Sequence, residues 1–113
     1  MIRSFKDKDT TDLAAGIRVR RFEAIEMIAR RKLRQLEIAG ALADLAVPPG
    51  NRLEALSGDR TGQYSIRVNG QYRVCFAWTD AGPADVEIVD YHRGERYGSE
   101  SDHARGFASL RVP

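Results

Sequence analysis

The sequence predicts an α+β fold, with an N-terminal strand and two helices packed on a mainly antiparallel sheet. Three observations carry this prediction. Apolar residues recur at helical spacing between Phe22 and Ala39. Two consecutive prolines, Pro48 and Pro49, then break the chain. Beyond them, short runs alternate apolar and polar residues between turn-forming stretches. A chain of 113 residues with 42% hydrophobic and 30% charged content suits one domain with a modest core.

Ile2–Phe5 reads as a short first strand. Asp9 or Thr10 is placed to cap a brief helix through about Ala15, and Gly16 to end it. A longer helix is expected from about Phe22 to Ala39, burying Phe22, Ile25, Ile28, Ala29, Leu33, Leu36 and Ala39 as one stripe. Glu26 and Arg30, four residues apart in the favourable order, should form an ion pair on it. The segment from Ala46 to Asn51 excludes continued helix. Strands are expected at Arg52–Leu56, Tyr64–Val68, Tyr72–Trp78 and Val86–Tyr91, with loops at Ser57–Gly62 and Thr79–Ala84. Residues 1–92 form the compact domain on this reading. Residues 93–113, with three glycines and three serines, form a peripheral or flexible extension.

Asn69-Gly70 invites a two-residue hairpin turn. That register would place Ile66 on the same face as Arg73. A three-residue loop, Asn69-Gly70-Gln71, instead sets Ile66 opposite Val74 and gathers Tyr64, Ile66, Val68, Tyr72, Val74, Phe76 and Trp78 on one face. Burial normally decides register, so the longer loop is expected. It brings Arg67 directly opposite Arg73, a like-charge pair costing up to roughly 1 kcal/mol. A bound anion such as phosphate would relieve that repulsion. Solvent screening or neutralisation by Glu87 on a neighbouring strand would also do so.

The net charge of +2 is unevenly spread. Residues 18–34 carry Arg18, Arg20, Arg21, Arg30, Arg31, Lys32 and Arg34 against Glu23 and Glu26 alone. A polyanion and an acidic protein both suit such a surface. The single cysteine, Cys75, excludes an internal disulfide and reads as a packed small side chain. His92 and His103 are the only histidines, which argues against a zinc site. Charges interrupt every apolar run, so no membrane span or signal peptide is expected, and a cytoplasmic location follows as the default.

The last strand ends on Asp90, Tyr91 and His92, an acid, a phenol and an imidazole in succession. Together with the arginines of the hairpin they suit cleavage of a phosphodiester, with RNA the expected substrate. Strict alternation, however, sends Asp90 and His92 to one face and Tyr91 to the other.

Four blocks carry a resemblance to a known family. They are Met1-Ile-Arg-Ser-Phe5, Asn51-Arg-Leu-Glu-Ala-Leu-Ser-Gly-Asp-Arg60, the stretch from Gly62 to Phe76, and Val86-Glu-Ile-Val-Asp-Tyr-His92. In order and spacing they resemble HigB-type toxins of bacterial type II toxin–antitoxin systems, in the RelE/ParE superfamily. The resemblance implies helices packed on a curved sheet and a ribosome-dependent endoribonuclease that cuts translated mRNA in the A site without metal or cofactor. It further implies a HigA-type helix-turn-helix antitoxin that binds operator DNA. Arg73, Asp90, Tyr91 and His92 match the catalytic positions, while Arg67, Arg60 and Arg52 are the candidate phosphate-binding residues. Glu54 and Ser57 stand where some members have histidine and lysine. Glu54 thereby becomes a candidate acid–base group, and the general base is left open. A non-catalytic gyrase-binding toxin of the ParE kind and a degenerate toxin that only binds its antitoxin are the alternatives.

Overall fold

The computed structural model describes residues 1–91. His92 and the extension at residues 93–113 lie outside the described residues. The order is two helices followed by four strands: α1 (Lys8–Ala14), α2 (Glu26–Ile38), β1 (Glu54–Ala55), β2 (Gln63–Arg67), β3 (Tyr72–Thr79) and β4 (Gly82–Asp90). The strands form one antiparallel sheet in the order β1-β2-β3-β4.

Asp7, rather than Asp9 or Thr10, caps α1: its carboxylate accepts from the Thr10 N–H at 3.2 Å. Thr10 is buried, and its hydroxyl accepts from the Ile88 N–H of β4 at 3.1 Å. The expected long helix starts later than its apolar spacing indicated. Arg20–Ile25 is a 3-10 segment, and α2 proper begins at Glu26. Phe22 and Ile25, three residues apart, fit the three-residue period of the tighter helix and are buried from it. Ala29, Leu33 and Leu36 continue the stripe, but Ile28 stays 37% exposed at its margin. The expected Glu26–Arg30 pair forms at 2.7 Å.

The helices cover one sheet face. Phe22, Ala29, Leu33 and Leu36 join Ile66, Val68, Val74, Phe76, Val86 and Ile88 in the main core. The hairpin register is the one burial favours, with Ile66 opposite Val74 and Arg67 opposite Arg73. The Asn69 side chain closes the three-residue loop by accepting from the N–H groups of Gln71 and Tyr72, both at 2.8 Å.

Three strand boundaries differ from expectation. The N-terminal strand does not form. Residues 3–6 run parallel to β4 with one bridge, Phe5 to Val86, before the chain turns into the α1 cap at Asp7. They still protect the β4 edge: Arg3 N–H donates to Pro83 C=O, Val86 N–H to Ser4 C=O, and Lys6 N–H to Val86 C=O. The Thr79–Ala84 loop shrinks to Asp80-Ala81, because Gly82 pairs with Thr79 and Pro83 with Trp78. Pro83 is tolerated there because β4 is the sheet edge and its carbonyl faces outward to Arg3. The Arg52–Leu56 strand shortens to Glu54–Ala55. Arg52 adopts a left-handed conformation with φ 48°, and its carbonyl serves a side chain instead of the ladder.

An irregularity opposite Cys75–Ala77, with Asp85 at φ 53°, shifts the alternation of β4. After it, Val86, Ile88 and Asp90 share the helix side, and Glu87, Val89 and Tyr91 the other. Replacing Thr10 with valine leaves the Ile88 N–H without its acceptor in the core. We expect a loss of about 1–3 kcal/mol, read as a lower denaturant midpoint at unchanged slope.

Candidate active site

The sheet face turned away from the helices carries the candidate site. Arg73 projects from the middle of the sheet and is only 6% exposed. Contacts with Ser65 and Arg52 help to seat it. Its Nε donates to Ser65 Oγ at 2.7 Å, and one terminal nitrogen donates to the Arg52 carbonyl at 2.6 Å. The left-handed turn at Arg52 aims that carbonyl inward and leaves the Arg52 side chain exposed. A cleft of about 380 Å³ opens here, lined by Pro49, Gly50, Arg52, Leu53 and Glu54.

Glu54 lies on β1 opposite Ser65, on the same face as the Arg73 seat. It is 7% exposed, and its carboxylate makes no hydrogen bond or ion pair among the described residues. Tyr91 follows the end of β4, with the Arg73 guanidinium carbon 5.8 Å from its ring centroid, a cation–π distance. Its ring packs on the small cluster of Leu56, Cys75 and Val89. Burial, with smaller contributions from Glu54 and Cys75, pushes the Tyr91 hydroxyl far above the ordinary phenol range, against the opposing pull of Arg73. The phenol therefore stays protonated at neutral pH and can donate a hydrogen bond.

Arg67 faces Arg73 across β2 and β3 and is half-buried. Glu87 neutralises neither of them. It sits opposite Cys75 and pairs with Arg60 at 3.1 Å. Arg60, which also donates to Gln63 Oε1 at 2.9 Å, thus has its charge met within the sheet. Asp90 lies on the other side of β4, opposite Tyr72, and accepts from Gln71 Nε2 at 3.3 Å. The structure therefore brings Arg73, Tyr91, Glu54, Arg52 and Arg67 together and sets Asp90 on the opposite face. Among the described residues no His, Cys, Asp and Glu cluster could hold a metal ion. Nor is any helix among them long and apolar enough to cross a membrane.

Three contributors escaped sequence reasoning: Ser65, Asn51 and Lys32. Ser65 falls on the Arg73 face by simple alternation and was legible from the register. Asn51 read as a turn residue but is fully buried. Its Nδ2 donates to Gln35 Oε1 at 2.8 Å and to the Leu45 carbonyl at 3.0 Å, while its Oδ1 accepts from Lys32 Nζ at 2.6 Å.

Residues 3–92 match the family model described as the RelE-like toxin of the type II toxin–antitoxin system HigB. The chain belongs to this HigB toxin family. It is 49% identical over 70 residues to Toxin HigB-1 of Vibrio cholerae serotype O1 (strain ATCC 39315 / El Tor Inaba N16961), a match covering 62% of this chain and 73% of that protein. The α+β arrangement of two helices on a four-stranded antiparallel sheet is compatible with a RelE-like fold. Membership of a type II system implies an antitoxin partner for this toxin.

Proposed function

We propose that this toxin is a metal-independent, ribosome-dependent endoribonuclease that cleaves mRNA in the A site, and that a HigA-type helix-turn-helix antitoxin neutralises it and links it to operator DNA. The observation that carries the reading is the buried Arg73, seated on Ser65 and the Arg52 carbonyl, on the same sheet face as the Tyr91 phenol and Glu54, whose carboxylate is unbonded among the described residues.

RNA cleavage of this kind forms a bond from the 2′-oxygen to phosphorus and breaks the bond to the 5′-oxygen. The 2′-hydroxyl proton goes to a base, and the leaving 5′-oxygen receives one. Arg73 and Arg67 match the extra negative charge of the five-coordinate phosphorus. Glu54 is the described residue suited to accept the 2′-proton, while the protonated Tyr91 hydroxyl donates to a phosphate oxygen. His92 is assigned to protonating the leaving group. Arg52 holds a flanking phosphate, Arg60 keeps Glu87 away from the anion, and Asp90 fixes the hairpin end through Gln71.

In a translating extract the purified toxin should produce new mRNA 5′ ends at A-site codons. The Arg73→Ala, His92→Ala double variant should produce none. Glu54→Gln should lower cleavage by about two to four decades if it is the base. Translation that continues while gyrase-trapped DNA breaks accumulate would overturn the nuclease reading in favour of a gyrase-binding toxin. Unchanged growth and intact mRNA in the absence of antitoxin would identify a degenerate one.

A further inference from the structure

Arg73 and Glu54 carry opposite charges, and both are buried on one face of one sheet. Yet no ion pair joins them: the ion pairs among the described residues all involve other side chains. Little water screens either group, so Coulomb attraction favours a direct contact. The fold must hold the two apart.

The register shows what stands between them. Ser65 on β2 lies directly opposite Glu54 on β1, and Arg67, two residues further along β2, lies opposite Arg73 on β3. Directly opposed residues have Cβ atoms about 4.5–5.5 Å apart. Arg73 reaches diagonally across the hairpin, and its Nε donates to Ser65 Oγ at 2.7 Å. A terminal nitrogen donates to the Arg52 carbonyl at 2.6 Å. The guanidinium is a rigid plane, so holding two of its donors constrains the whole group. Both acceptors are neutral, so they satisfy those donors without cancelling the charge. The other charged or titratable groups nearby are engaged elsewhere or stand further along the sheet. Arg60 takes Glu87, Cys75 packs with Leu56, and the Tyr91 phenol lies by the Arg73 guanidinium. Arg67 stands beyond Ser65, Arg52 turns its side chain to solvent, and Lys32 of α2 gives its ammonium to Asn51.

We propose that Ser65 is a positioning residue: by taking the Arg73 Nε–H on a neutral oxygen it keeps the guanidinium off Glu54, so that the carboxylate stays free to accept a proton and the arginine's charge stays available to phosphate. The proposal rests on the RNA-cleaving reading above and deepens it by saying how a base and a cation coexist in one buried site. An ion pair between them would disable both. It would weaken the carboxylate as a proton acceptor and cancel the arginine's charge before a phosphate arrives. Without the Ser65 hydroxyl the Nε–H is buried with no acceptor, a costly state. The carboxylate one strand beyond Ser65 is then the acceptor it turns to.

The test is the crystal structure of the full chain carrying Ser65→Ala, together with its cleavage of mRNA in the translating extract. The Arg73 guanidinium should swing to Glu54 and bond its carboxylate at about 2.8 Å, the length of a charge-assisted bond. Cleavage should fall by about two decades, the lower range for loss of a general base. Ser65→Thr keeps the hydroxyl and should restore both the seat and the rate. Glu54→Gln should cost far less in the Ser65→Ala background than in the parent, because the carboxylate is already engaged. Two unrelated structural losses would instead add. Where alanine prevents folding, Ser65→Cys, with a weakly accepting sulfur, takes its place under the same expectations. An Arg73 still turned away from Glu54 in the folded Ser65→Ala chain overturns the proposal, and so do additive losses in the double variant. The position of Arg73 is read without any cleavage, so a failed nuclease assay is distinguishable from a failed role for Ser65.

Discussion

Replacing Arg73 with alanine should lower mRNA cleavage by about two to three decades, the usual effect of deleting an electrostatic stabiliser of a transition state. The size of the effect follows from burial. Arg73 is 6% exposed, so its charge acts on a phosphate through little water and is weakly screened. The same substitution should also destabilise the fold by about 1–3 kcal/mol, since the Arg52 carbonyl loses its donor and Ser65 its partner. The two effects separate experimentally. Single-turnover cleavage below the melting transition reads the first, and the denaturant midpoint reads the second. Lysine should not rescue: one ammonium can keep the positive charge but cannot reproduce the planar fork that reaches Ser65 and Arg52 together. An alanine variant that is folded and cleaves at the parental rate would remove Arg73 from the chemistry.

Asn51→Ala should destabilise the fold by about 3 kcal/mol, although the residue lies outside the hydrophobic core. One amide joins the loop to α2 and to the 42–46 segment: it reaches Gln35 and Lys32 of α2 and the Leu45 carbonyl. Alanine leaves the Leu45 carbonyl buried without that donor and frees the loop that carries Arg52. Asn51→Asp separates the contributions. Its carboxylate still accepts from Lys32 but cannot donate to Leu45 or Gln35, so most of the loss should remain. Thermal unfolding of the two variants checks this. Cleavage by the fraction still folded should fall as well, because the Arg52 carbonyl is part of the seat of Arg73.

Where burial decides, the sequence was legible. The hairpin register followed from placing Ile66, Val74 and Phe76 on one face, and with it came the Arg67–Arg73 opposition. Arg67 and Arg73 could therefore be assigned to a common face from the sequence, whereas the face of Tyr91 follows only from the β3–β4 register and its irregularity. What escaped depends on single backbone conformations. The left-handed Arg52 shortened β1 and produced the carbonyl that anchors Arg73. The start of α2 escaped because Phe22 and Ile25, at a spacing of three, satisfy both helix types. Asn51 looks like a loop residue in composition, and only the convergence of Gln35, Leu45 and Lys32 makes it internal. Asp90 matched the family's catalytic pattern, but its register with Tyr72 puts it across the strand from Arg73.

The pairing of residues 3–6 with β4 also sets a timetable. Residues 3–6 are synthesised long before their partners at Pro83 and Val86, and Thr10 long before its partner at Ile88. Contacts so distant in sequence close late. At synthesis rates of about 5–20 residues per second, the first strand-like segment waits several seconds for its mate. Arg73 lacks its full surroundings, and Tyr91 does not yet exist, while that wait lasts. The activity proposed above thus cannot assemble until the domain is nearly whole, an interval in which the antitoxin can meet the newborn chain.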